Sequence, residues 1–354
     1  MNNLSEKTKH SMMVRILTSI GIAVVGIPCL VLGGYFLFIL ALIVYSLAIY
    51  EILKANSEEN RWYIWVVTYI FGLSYMVWPF IRDATIREEA FLTNNFFLTE
   101  KDFYISMMAI LGYLLFLFVA AILDPKVSLN TVFYTFTMVF LITFGFYSIL
   151  FVRYYPCSED FYSIDAHGAV TVLNTNLQGT ILFFYVTIGT FITDIGAYFT
   201  GVLFGKHKMN PRISPNKTWE GFVGGVLFSA IFSLSFALIM EYGFDLPVLP
   251  GVLQFQPDSN FAQPAWFVVM VSFIMPIFAN IGDFLFSAIK RQKGIKDYSN
   301  LLPGHGGILD RLDSILVTMS IVSLIVIMIN TKLGTVGDFA AFTGLIWWWK
   351  KRRL

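Results

Sequence analysis

The residues best equipped for chemistry lie in the C-terminal half of this 354-residue chain, where Asn280, Asp283, Ser287 and Lys290 follow at steps of three and four. That spacing lines them along one face of a helix. The stripe leads from an apolar stretch into the basic loop SAIKRQKGIKDYSNLLPGHGGILDRLDS. A snorkelling surface lysine accounts for Lys290 alone, but not for a carboxylate a turn or two deeper, where an ionisable group costs a few kcal/mol. The loop ends in Asp310, Arg311 and Asp313, and the two acids share a helix face if a helix begins there. Carboxylates at a helix start can be simple complements to its dipole. Here, however, they stand with Asp283 among Lys290, Arg291, Lys296 and Arg311, with Asp297 in the same loop. Carboxylates next to phosphate-binding cations suit Mg2+, which characteristically bridges a few carboxylates and substrate phosphates. Gly304, Gly306 and Gly307 surround His305, and such glycines would let backbone amides come close to an anion.

A second basic loop reads GKHKMNPRISPNKTWEGFVGG. Ser214 followed by Pro215 predicts a helix start, with Ser214 as N-cap and Pro215 at the first helical position. Lys217 then sits in the first turn, where free amides and the dipole already favour anions. Glu220, followed by Gly221, Gly224 and Gly225, adds to the case for a substrate site. The alternative is an ordinary basic loop with an ordinary cap. Upstream, Asp194 lies within an apolar stretch that also carries Gly189, Thr193, Ala197 and Gly201 at intervals of four. That small-residue stripe allows close helix packing. Asp194 is then either a site residue or a hydrogen-bond partner for a neighbouring helix.

These residues need a membrane scaffold to hold them. The chain is 57% hydrophobic and only 13% charged, against about 25% charged in soluble proteins. Apolar runs long enough to span a bilayer recur at roughly 12–32, 34–53, 62–81, 104–123, 131–152, 181–203, 222–241, 265–286 and 312–331. They are continuous rather than alternating, which excludes a β-barrel and predicts an all-α polytopic membrane protein, a bundle of about nine transmembrane helices. The first two runs read as spans rather than a cleavable signal. The organisation divides into N-terminal spans over 1–175 and a catalytic region with both basic loops over 176–354.

Orientation follows from the basic residues. Lys7, Lys9 and Arg15 precede or open the first span; Lys206, Lys208, Arg212 and Lys217 fill one loop, and Lys290, Arg291, Lys293, Lys296 and Arg311 the other. The stretches 154–180 and 241–264 instead carry acids, among them Glu159, Asp160, Asp165, Glu241, Asp245 and Asp258, and no Lys or Arg. Nine spans with the N-terminus inside put both of the C-terminal basic loops in the cytoplasm and both acidic stretches outside. The C-terminal IWWWKKRRL departs from this pattern, as an interfacial helix or part of a tenth span. Cys29 and Cys157 have no CxxC spacing, so neither a zinc site nor a disulfide framework is indicated.

The stretch from Ser287 to Asp313 resembles the signature of the phosphatidate cytidylyltransferases, also called CDP-diacylglycerol synthases. Its elements occur in order: Ser287, Lys290-Arg291, Lys296-Asp297, Ser299, Pro303, His305-Gly306-Gly307, Asp310-Arg311 and Asp313. SPNKTWEG (Ser214 to Gly221) and DIGAY (Asp194 to Tyr198) are also similar to that family. The resemblance implies CMP transfer from CTP to phosphatidic acid at the cytoplasmic face, with pyrophosphate released; the compact architecture, without a long hydrophilic N-terminal stretch, points to a bacterial plasma membrane. It implies a paired Mg2+ centre on Asp283 and Asp310, and a homodimer; Asp194 and Asp313 are further candidate ligands. Lys217, Lys290, Arg291, Lys296 and His305 are then candidates for holding phosphates, with Ser214, Glu220, Asp297, Gly306, Gly307 and Arg311 as further substrate contacts. No nucleic-acid partner is expected. A CTP-dependent polyprenol or lipid kinase would share topology, nucleotide and metal but release CDP, and the complete signature favours the cytidylyltransferase. A transporter would show paired half-sequences with interrupted helices, and none is present.

Overall fold

The computed structural model describes residues 6–56, 61–86, 100–154, 162–164, 170–172, 175–244, 246, 248 and 265–330. Among them are nine helices: α1 (Glu6–Leu32), α2 (Gly34–Ala55), α3 (Trp62–Ile86), α4 (Glu100–Leu123), α5 (Leu129–Tyr154), α6 (Thr175–Phe204), α7 (Trp219–Phe244), α8 (Ala265–Gln292) and α9 (Leu309–Asn330). Each coincides with one of the apolar runs. Seven of the described helices are long and apolar enough to cross a bilayer: α1, α2 and α4 to α8. α3 contributes a shorter apolar stretch, Trp62–Trp78, and α9 opens with Asp310, Arg311 and Asp313. The chain is an all-α polytopic membrane protein. The IWWWKKRRL tail, and Cys157, Glu159, Asp160, Asp165, Asp245 and Asp258, lie outside the described residues.

Two short hairpins interrupt the helices. Tyr162–Ile164 (β1) pairs antiparallel with Val170–Val172 (β2), between α5 and α6 in sequence. Lys208–Asn210 (β3) pairs with Ser214–Thr218 (β4) between α6 and α7.

Three close approaches explain how the sequence sets the bundle. Between α1 and α2 the chain reverses at Gly33 and Gly34, both left-handed with φ of 64° and 55°, a conformation glycine adopts without steric cost. There the buried Arg153 donates from Nε to Leu30 O at 2.7 Å and from its guanidinium to Val31 O at 3.1 Å, neutralising the carbonyl end of α1. Between α6 and α7 the predicted small-residue stripe is used. A Cβ on Gly221 would lie 2.8 Å from Ala197 O, and one on Gly225 2.7 Å from Thr193 O. Ser229 completes the seam by donating to Gly189 O at 2.8 Å. Between α8 and α9, a Cβ on Gly282 would lie 2.8 Å from Asp313 O. A glycine beside Asp283 therefore lets α8 sit directly against the first turns of α9. The largest buried cluster joins both halves of the chain, with Tyr45, Ile49 and Ile52 of α2 and Ile142 and Phe146 of α5 packed with Phe286 and Leu316 of α8 and α9.

Candidate active site at one end of the bundle

The loop after α6 does not begin a helix at Ser214. Ser214 and Pro215 belong to β4, and the helix-start reading of this pair is corrected. Backbone pairing with residues 208–210, a partner that lies outside a local cap pattern, decides the outcome. The ladder is two-stranded and its register shifts between Lys208 and Asn210, the irregular edge setting in which a proline is tolerated. The cap is Thr218, whose Oγ1 accepts from Gly221 N at 3.1 Å. Lys217 therefore stands on the strand before α7 rather than in its first turn. Glu220 closes the hairpin: its carboxylate accepts from Lys206 N and His207 N at 3.1–3.2 Å and meets His207 Nδ1 at 2.6 Å.

From that strand Lys217 reaches α8. Its Nζ lies 2.5 Å from Asp283 Oδ2 and 4.6 Å from the centre of the Phe284 ring. Ser287, one turn on, donates to Asp283 Oδ1 at 3.1 Å. The predicted stripe is real at Asp283 and Ser287, whereas Asn280 turns back on its own helix and donates to Pro276 O at 3.0 Å. Asp194 of α6 and Asp313 of α9 stand close enough to Asp283 for their charges to interact, and Asp194 also feels Lys217 and Arg311. The three carboxylates, on three helices, thus lie within range of one another's charge, and Lys217 pairs with the one on Asp283.

The loop between α8 and α9 is built on a second, more buried ion pair. Lys290 Nζ lies 2.7 Å from Asp310 Oδ1, with side chains only 10% and 5% exposed. Asp310 Oδ2 accepts from Tyr298 N and Gly307 N, both at 2.9 Å. Burial beneath the loop pushes the Tyr298 phenol above its ordinary pKa. The Gly-rich turn differs from expectation. Gly304 and Gly306 have φ of 75° and 86°, but the amides of residues 305–307 are already taken. His305 N and Gly306 N bond to Leu302 O, and Gly307 N to Asp310. Ile308 N and Leu309 N bond to Glu51 at 2.8 and 2.9 Å. The turn gives shape to the site instead of lending amides to a ligand, because a helix start buried in the bundle needs its own acceptors.

Glu51, on α2, is the residue that sequence reasoning missed. It is 1% exposed, accepts from Ser299 Oγ at 2.5 Å as well as the two α9 amides, and so ties the N-terminal half to the signature loop. A signal existed, since an acid inside an apolar span is a candidate by the rule applied to Asp194 and Asp283. Nearby, Lys293 donates to Asn56 Oδ1 and stacks 4.3 Å from the Tyr134 ring. Arg291 bridges the two basic loops, from Nε to Ile213 O at 3.5 Å and from Nη1 to Ile295 O at 3.3 Å.

Beside the turn opens a cleft of about 490 Å3 whose walls include Lys296, Asp297, His305, Gly306 and Arg311. Arg311 donates from Nε and Nη2 to His305 O at 3.0 and 2.7 Å. His305 Nε2 lies 3.1 Å from Ser19 Oγ, while its Nδ1 is buried with no hydrogen-bond partner.

The donor set fits a divalent cation in chemistry. Asp194, Asp283 and Asp313 carry more negative charge than Lys217 offsets, and hard carboxylate oxygens suit Mg2+. Among the described residues, no three His, Cys, Asp or Glu side chains are gathered as a metal-binding group. Asp310 already has Lys290 on one oxygen and two amides on the other.

Fold and site together define a membrane-embedded protein that collects carboxylates and cations from both basic loops at one end of a helical bundle. The profile of the cytidylyltransferase family matches residues 13–329, and the chain belongs to that family. Its relatives include three proteins named phosphatidate cytidylyltransferase. The one from Staphylococcus saprophyticus is 36% identical over 162 residues, 46% of this chain and 55% of the relative. The Bacillus subtilis protein is 37% identical over 153 residues, 43% and 50% of the two chains. That of Staphylococcus haemolyticus is 39% identical over 153 residues, 43% and 52%. The chain spans about half the length of the curated relatives it matches.

Proposed function

We propose that the protein transfers CMP from CTP to phosphatidic acid, giving CDP-diacylglycerol and pyrophosphate. The observation that carries this reading is the complete Ser287–Asp313 signature folded against Lys217 and Asp283 at one end of the bundle, beside a cation-lined cleft. Membership of the cytidylyltransferase family and relatives named for this activity support it.

The phosphate monoester of phosphatidic acid is largely ionised near neutral pH, so it needs no strong general base. One of its oxygens forms a bond to the α-phosphorus of CTP, the α–β bridging bond breaks, and pyrophosphate leaves. The difficulty is bringing an anion against an anionic triphosphate, which makes positioning and charge neutralisation the main contributions. Lys296 and Arg311 line the cleft and hold phosphates; Lys217 pairs with Asp283 and orients its carboxylate. Lys290 acts chiefly by fixing Asp310 and with it the loop. Mg2+ would be held by Asp283 and Asp310, with Asp194 and Asp313 beside Asp283, and would neutralise charge on attacking and leaving oxygens.

All nine helices are read as spans, with the N-terminus and both basic loops in the cytoplasm, where CTP is found. The lipid tails lie between helices and the headgroup at loop level, in a bacterial plasma membrane, and the working unit is a homodimer. Purified protein given CTP, phosphatidic acid and Mg2+ is expected to release pyrophosphate only when all three are present. Release independent of phosphatidic acid would overturn the reading.

A further inference from the structure

We propose that Arg15, on α1, completes a polyphosphate subsite in the cleft beside His305, so that the first helix contributes directly to nucleotide binding. The inference rests on the CTP-using reading above and adds to it a residue outside the signature. Arg15 lines the same cleft as Lys296 and Arg311. None of these three cations has a carboxylate within ion-pair distance among the described residues. Asp297 is the one acid on the cleft wall, so the lining carries excess positive charge. The placement of Arg15 is fixed rather than incidental. The Thr18 hydroxyl, shared between Val14 O at 2.9 Å and Pro303 O at 3.1 Å, meets the signature loop, and Ser19 Oγ lies 3.1 Å from His305 Nε2. Gly304 makes room for it: a Cβ there would lie 2.9 Å from Arg15 Cγ. The buried, unpartnered Nδ1 of His305 is a second sign that the cleft wall has bonding capacity in reserve.

Three cations around a space of this size match a di- or triphosphate chain better than a single monoester. Guanidinium groups bind phosphate oxygens through paired, charge-assisted hydrogen bonds. The β- and γ-phosphates of CTP, which leave as pyrophosphate, are the moiety assigned here. A lipid phosphate is the competing source of the same chemistry, because a basic residue near a membrane surface also attracts anionic headgroups.

The test uses the full chain in detergent with inorganic pyrophosphate as the probe, titrated calorimetrically in Mg2+ buffer, alongside steady-state kinetics. Arg15→Ala is expected to weaken pyrophosphate binding and to raise the KM for CTP, each by about tenfold or more, with the KM for phosphatidic acid unchanged. Arg15→Lys should retain part of the affinity, since it keeps the charge and loses the fork. Because Arg15 is exposed, the variants should keep the wild-type thermal midpoint and gel-filtration profile. Pyrophosphate affinity equal to wild type, no measurable binding by the wild type, or a change confined to the KM for phosphatidic acid would each overturn the assignment. A wild type that binds pyrophosphate yet makes no CDP-diacylglycerol would refute the parent reading alone, and the titration would still decide the role of Arg15.

Discussion

Lys217 and Asp283 meet across two elements, so changing either has two consequences at once. Asp283→Asn keeps the shape but removes the charge that faces Lys217 at 2.5 Å. Turnover is expected to fall at least about 100-fold, as for loss of a group that stabilises transition-state charge. Pyrophosphate release at saturating Mg2+ measures it, and activity near wild type would remove Asp283 from the mechanism. Glu51→Gln probes a different kind of residue. Glutamine keeps one oxygen to accept from one of Ile308 N and Leu309 N but turns an N–H against the other, where Glu51 accepted from both, and an unsatisfied buried donor costs ~1–3 kcal/mol. A lower thermal midpoint in detergent and weaker CTP use should appear together; an unchanged midpoint would show that these bonds are dispensable. Asp283, Lys290 and Asp310 were legible because their types and spacing announce a polar site within apolar surroundings. The partners were not legible. Nothing local says that Lys217 reaches Asp283, or that Glu51 lies on residues some 250 positions later.

At the scale of elements, the nine apolar runs could be read because backbone groups in lipid must be satisfied within a helix, which forces long continuous segments. The Ser214–Pro215 pair misled because a serine before a proline suits a helix start by local rules, while strand pairing with residues 208–210 is a non-local choice. The helix seam gives a sharp stability test. Gly225→Ala would place a Cβ 2.7 Å from Thr193 O, whereas Gly112→Ala meets nothing within 4 Å. The first should lower the thermal midpoint, at a cost of ~1–3 kcal/mol for overpacking, and the second should leave it unchanged. Equal midpoints for both variants would contradict the close α6–α7 approach.

Across the whole molecule, the basic loops converge at the same end through Arg291, Lys217 and the Glu51 tie. In the orientation proposed from the Lys and Arg distribution, that end faces the cytoplasm. In a background lacking Cys29 and Cys157, single cysteines at Lys208 and Lys293 should resist a membrane-impermeant thiol reagent on intact cells, while one at Asp258 should label. Labelling at Lys208 or Lys293 from outside would reverse the orientation.

The central claim is that the bond broken in CTP is the α–β bridge. CTP carrying a distinguishable label on the α- and on the γ-phosphate, incubated with phosphatidic acid and the purified protein, tests this most directly. The α-label is expected in the lipid as CDP-diacylglycerol and the γ-label in pyrophosphate, in equal amounts. Recovery of the γ-label in the lipid, with CDP as the nucleotide product, would contradict it and make the protein a kinase.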